Sequence, residues 1–181
     1  MKTQENNRKH VARAAVIEGI EKHLEYLANE IEHIELEIKR KIDNDPDLKK
    51  QRKLLDGIPG LGPKTIPVLL SFFGGALRFD NARQAAAYAG LDPKQHQSGT
   101  SVRLKPRLST MGQVLLRKSL YMPAMVAVTR TDWGRAFKAR LSANGKAPKV
   151  IICAMMRKLV HVAFGVLRSG KPFNAALHNA A

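Results

Sequence analysis

"LLDGIPGLGPKTIPVLLSFFG", residues 54–74, decides how the chain is read. Apolar runs flank a short stretch in which Gly60 and Gly62 let the backbone turn tightly, so two helices meet through a glycine-bearing connection. Pro67, four residues past Pro63, removes a helical hydrogen bond, which predicts that the second helix starts late or bends. The arrangement expected is a helix-hairpin-helix element.

Towards the N-terminus, Ile17, Ile20, Leu24, Leu27, Ile31, Ile34 and Ile38 step by alternating threes and fours, a heptad seam. With Ile17 at position a, the flanking e and g positions include Glu21, Glu30, Glu35 and Glu37, which would repel one another in a parallel, in-register pair. An antiparallel pairing or a basic partner surface suits them better; the alternative is one amphipathic helix packed on its own domain. The seam stops at "DNDPD", where Asn44, Asp45 and Pro46 break the helix. The organisation expected is a coiled-coil oligomerisation helix over residues 1–50 and a second domain over 51–181.

Towards the C-terminus no run keeps a period of two, and helix start or stop signals stand at nearly every junction. The class is therefore read as all-α: a long N-terminal coiled-coil helix, then a compact helical domain containing the helix-hairpin-helix element. Asp80 is expected to cap an alanine-rich helix ending at Gly90, and Thr110 with Gln113 to form a capping box ahead of "VLLRKSLYMPAMVAV". Pro123 should kink that helix, and Asp132 should cap the next. The last helix, from about Pro148 to Arg168 and closed by Gly170 and Pro172, is apolar nearly all round and should form the core. Trp133 and Cys153 read as core residues.

The net charge of +16 is unevenly spread: residues 1–56 hold 12 basic and 12 acidic residues, residues 57–181 hold 19 and 3. The three acids are Asp80, Asp92 and Asp132. Such a field attracts a polyanion, and DNA is the expected partner. The helix after Gly62 then gains a role, because its free N–H groups and positive dipole end can face a phosphate. Gly60, Gly62, Lys64 and Thr65 are its candidate DNA contacts, a grip that positions DNA without reading bases; a ligand-free turn is the alternative. Arg157, His161 and Arg168 share a face of the last helix, as a phosphate-touching stripe or as the solvated edge of a buried helix.

In "GLDPKQHQSG", residues 90–99, Ser98 precedes a glycine in an expected loop, and Arg103, Lys105, Arg107, Arg117 and Lys118 follow within twenty residues. A serine nucleophile needs a base and nearby cations. The cations are plentiful, but His96 has no paired carboxylate and reads as a loop histidine, so the residues alone leave Ser98 as either a turn serine or a nucleophile.

"GIPGLGPKT", "FDNARQAAAYAGLDPKQHQSG", "MGQVLLRKSLY" and "NGKAPKVIICAMMRKLVHV", in that order, resemble the C-terminal transposase domain of the IS-one-ten family, the Piv/MooV-type DEDD transposases and invertases. The likeness covers about Leu54 to Phe173. It implies a DNA recombinase for transposition in which the serine of the Ser-Gly motif, here Ser98, attacks a phosphodiester and becomes joined to the DNA end. It also implies Mg²⁺ held by the acidic quartet of an N-terminal RuvC-like domain. That domain is expected to be missing from this sequence, which would leave a fragment that binds DNA and cuts little by itself. Some members of the family use a structured RNA guide. One departure is Thr110, where the family has a lysine two residues before its motif glycine, here Gly112. The other readings are a non-catalytic DNA-binding and oligomerisation module, and an RNA-binding protein.

No metal is expected on this chain, since its six histidines and Cys153 lack ligand spacing and three scattered aspartates cannot gather oxygen donors. Val150 to Leu167 is apolar but carries Arg157 and Lys158 at its centre, which argues against a membrane span. Without a signal-like N-terminus, the expected location is the cytoplasm.

Overall fold

The computed structural model describes residues 1, 3, 4, 6, 14–73, 78–98, 102–109 and 111–179; the side chains at 14, 15, 94–98, 102–107 and 179 lie outside that description. Contacts divide the chain into two units, Met1–Pro46 and Asp47–Ala181, slightly before the boundary read from the sequence. The first unit is dominated by α1 (Ala14–Asn44), 31 residues long, which ends at the Asn-Asp-Pro break. Three seam residues of α1, Ile31, Ile34 and Ile38, are 43, 53 and 41% exposed.

The second unit continues from α2 (Pro46–Asp56) through α3 (Thr65–Phe73) and α4 (Ala82–Tyr88) to a hairpin of β1 (Pro93–Ser98) and β2 (Val102–Leu108). After it come α5 (Val114–Arg130), α6 (Asp132–Ala143), α7 (Pro148–Ser169) and α8 (Ala176–Asn179). The class is all-α, as read, apart from this one antiparallel hairpin, which the sequence reading assigned to a loop. The hairpin escaped notice for a physical reason. "PKQHQS" is polar at every position after the proline, so it has no alternating face. In β2 the alternation of Val102 and Leu104 is broken by Pro106 and by one extra residue, since Lys94 pairs with Arg107 but His96 with Leu104.

The core is built on α7, which packs against α4, α5 and α6, while α5 also packs on α3. Met155, Leu159, Val160 and Ala163 of α7 meet Leu116, Leu120, Ala124 and Ala127 of α5 in the group of fully buried side chains. Truncating one such leucine to alanine costs roughly 2–5 kcal/mol. Among the described residues α7 is the one helix long and apolar enough to cross a membrane, and 56% of that stretch is buried inside the fold. Gly170 caps α7 in the left-handed region at φ 64°, as its sequence predicts. Trp133 is buried in the core, also as read.

The caps differ in detail. Asn81, not Asp80, caps α4 by accepting the Gln84 amide at 3.0 Å, because its neighbour Asp80 is engaged with the Gln84 side chain. Thr131, not Asp132, caps α6: its hydroxyl accepts the Gly134 amide at 3.2 Å and donates to the Ala127 carbonyl at 2.7 Å, tying α6 to α5. Gln113 stands at the N-cap of α5 with no side-chain cap bond, and Thr110 lies outside the described residues. α5 runs through Pro123, which is buried.

Candidate functional site

The hairpin that carries Ser98 is held at its root by two arginines from other helices. Arg117 Nη1 of α5 donates to the Ala89 carbonyl at 3.2 Å, and Arg157 Nη1 of α7 donates to the Leu91 carbonyl at 3.3 Å. Arg157 also ion-pairs with Asp92, both partners being partly shielded from solvent. On the return side the Ser109 amide donates to the Asp92 carbonyl and the Gln113 amide to the Tyr88 carbonyl, each at 2.8 Å. Entering and leaving chains cross at Gly112. Its φ is +151°, and a Cβ there would lie 2.4 Å from the Tyr88 oxygen and 2.6 Å from the Gly90 nitrogen. Only glycine fits such a crossing, which explains this residue in "MGQ".

Ser98 is the last residue of β1 and pairs with Val102, while Arg103 pairs with Gln97 one step along. Both therefore lie at the far end of the hairpin from its clamped root. Arg107 pairs with Lys94 near the root, and the extra residue of β2 lies between it and Arg103. A shift of register thus separates Arg107 from Arg103 along β2, with Lys105 between them in sequence. The side chains of Ser98, His96 and these three lie outside the described residues.

In the connection of residues 57–64, Gly60 has φ +107° and packs on α5, where a Cβ would meet Ala127 Cβ at 3.0 Å and the Pro123 oxygen at 3.3 Å. Gly62 needs no such allowance, having nothing within 4 Å. Its carbonyl accepts both the Thr65 and the Ile66 amides, at 3.0 and 3.1 Å, and Pro63 and Pro67 have no N–H. Little of the expected row of free amides is left. Thr65 turns inward: it is buried and its hydroxyl donates to the Ser119 carbonyl at 3.3 Å. Lys64 and Lys118 are exposed.

Two residues of the stripe on α7 are also spent internally. Arg157 holds the hairpin root, and Arg168 donates to the Asp80 carbonyl. His161 is half-buried beneath the same region, and its pKa lies below 6.5 through burial, then through the Arg157 and Arg83 charges, with Asp92 opposing. Burial pushes the Cys153 thiol up, which makes it a poor nucleophile. Beside the hairpin root a cavity of about 400 Å³ opens between Leu108, three residues of α5 (Arg117, Lys118, Tyr121) and two of α7 (Cys153, Met156).

Residues 52–139, from within α2 to within α6, match the Transposase IS116/IS110/IS902 family. The chain belongs to that transposase family. It is 36% identical over 156 residues to the pilin gene-inverting protein of Moraxella lacunata, covering 86% of this chain and 48% of the relative. To the transposase for insertion sequence element IS1328 of Yersinia enterocolitica it is 30% identical over 159 residues, covering 86% and 46%. An insertion element IS110 protein of Streptomyces coelicolor is 31% identical over 119 residues, covering 65% and 29%. The chain spans about half the length, or less, of these curated relatives. The hairpin lies wholly inside the matched segment, whereas α7, with the Arg157 that braces it, lies beyond. Sequence reading missed the Asp92–Arg157 pair. The available signal was Asp92 itself, one of three acids among 19 bases and so a natural ion-pair partner.

Proposed function

We propose that this transposase-family domain binds DNA and supplies Ser98 as the nucleophile for strand cleavage and transfer in DNA transposition or inversion. The family match, which contains the whole Ser98 hairpin, carries this reading. The excess of 19 basic over 3 acidic residues after residue 56 supports it. In the step, Ser98 Oγ bonds to phosphorus, the bond from phosphorus to a sugar oxygen breaks, and the serine proton ends on that leaving oxygen. Arg103, Lys105, Arg107 and Lys118 neutralise phosphate charge, while Arg117 also braces the hairpin. α2, the Gly60–Gly62 turn with Lys64, and α3 act as a helix-hairpin-helix contact to the backbone, with Thr65 as its internal anchor.

Mg²⁺ belongs to the same reading, held by the acidic quartet of a RuvC-like domain. Among the described residues no three of His, Cys, Asp or Glu gather to hold an ion, so the donors here do not fit it and no step is drawn through it. The reading further includes pairing of two copies through the α1 seam, a structured guide RNA as a second partner, and the cytoplasm as the location.

The test supplies an acidic RuvC-like domain in trans with Mg²⁺ and DNA. A denaturation-resistant protein–DNA adduct that Ser98→Ala abolishes is expected. Intact binding without adduct favours a non-catalytic DNA-binding and oligomerisation module. Preference for structured RNA over duplex DNA at matched salt would favour an RNA-binding protein.

A further inference from the structure

The cavity beside the hairpin root shares Arg117 and Lys118 with the phosphate contacts proposed above, and its other lining residues give it a chemistry of its own. Leu108, Cys153 and Met156 give it apolar, polarisable walls, and Tyr121, 43% exposed, adds an aromatic ring. Lys118 precedes Tyr121 by three residues and Arg117 by four, helical spacings that set a cation next to the ring. Among the described residues no carboxylate lines the space. About 400 Å³ lies within the range that holds a small organic group, roughly 300–1,000 Å³.

We propose that this cavity receives one unpaired nucleotide of DNA, its base against Tyr121 and the Cys153–Met156 wall, its phosphate at Lys118. The proposal rests on the DNA-binding reading above. An apolar slot beside a cation suits a group that is flat and apolar on its face but anionic at its edge, and a nucleotide is both. A purely apolar ligand would leave Lys118 unused; an acidic peptide side chain would leave the slot unfilled. A base inside a duplex is paired and stacked and cannot enter, so the occupant comes from a bulge, a gap or a frayed end. Stacking of this kind tolerates any base, in keeping with contacts that position DNA rather than read it. Because Leu108 closes β2 at the clamped root, such a nucleotide would lie at the opposite end of the same hairpin from Ser98.

Three duplexes of one sequence separate the outcomes at fixed salt: intact, with a single-nucleotide bulge, and with the same bulge made abasic. The full chain should bind the base-bearing bulge roughly tenfold more tightly than the abasic one. Tyr121→Ala should erase that difference, Tyr121→Phe should keep it, and neither should alter affinity for intact duplex or the melting curve. Cys153 is the chain's only cysteine, so maleimide labelling at an alkaline pH that ionises its raised thiol reports the cavity directly and should slow with the base-bearing bulge alone. Equal affinity for the two bulges, or a difference that survives Tyr121→Ala, overturns the nucleotide site while leaving DNA binding intact. Failure to bind any of the three overturns both. A stronger base-dependent preference for the RNA counterpart shows that the occupant is not DNA.

Discussion

His161 sits half-buried on α7 with its Nε2 lacking a hydrogen-bond partner among the described residues. Burial and the Arg157 charge hold its pKa below 6.5, with Arg83 adding and Asp92 opposing. His178 is shifted the same way by burial and by Lys158. A histidine whose folded pKa lies below its unfolded value takes up a proton more readily when unfolded. Stability is therefore full above about pH 6.5 and is lost as pH falls through that value towards the folded pKa. The melting temperature should drop between about pH 7 and pH 5, and His161→Leu should shrink the drop while matching or exceeding wild type at pH 7.5. Circular-dichroism melts across that range decide it, and an unchanged acid loss in the variant would exclude His161 as its source. The sequence correctly places Arg157, His161 and Arg168 on one face. Helical spacing tells which residues are neighbours, but not which carbonyls cover them, so the brace to the Leu91 carbonyl was illegible.

At the scale of elements, the helices were legible because caps, glycines and apolar spacing are local signals. At residues 57–64 the need for glycine was legible at Gly60, which takes φ +107°, but does not hold at Gly62. The hairpin was not legible, since its strands show no alternating face and its root is braced across 28 and 66 residues of sequence, Arg117 to Ala89 and Arg157 to Leu91. Its steric key is local all the same. Gly112→Ala would place a methyl 2.4 Å from the Tyr88 oxygen at a φ that alanine rarely adopts. It should destabilise the fold by roughly 2–4 kcal/mol and speed hydrogen exchange across residues 88–109. Gly165→Ala is the matched control. That glycine lies inside α7 with nothing within 4 Å of an added Cβ, so the change should stabilise by about 0.5–1 kcal/mol. Equal effects at the two positions, measured by denaturant unfolding, would show that the chain crossing at Gly112 is not tight.

For the whole molecule, the strongest sequence signal was the separation of charge, balanced through residue 56 and 19 to 3 beyond it. It runs roughly parallel to the division into two units, whose join falls at Pro46, where proline cannot continue α1. What the sequence left open is whether the seam is used within the chain. Ile31, Ile34 and Ile38 answer for that part of the helix, being 43, 53 and 41% exposed. Burying one such side chain fully is worth roughly 1.5–3 kcal/mol, and pairing two seams must first offset the freedom lost on association, so concentration-dependent self-association is expected. Ile34→Lys should hold the chain monomeric in sedimentation equilibrium without lowering helicity, because the side chain it replaces lies in water. Two linked domains bind a long duplex with avidity, so the variant should also lose apparent DNA affinity. The salt slope per chain, set by phosphates neutralised in the basic unit, should stay as it was. A wild-type chain that shows no concentration dependence would assign the seam to a different partner, and a changed salt slope would mean that α1 itself touches DNA.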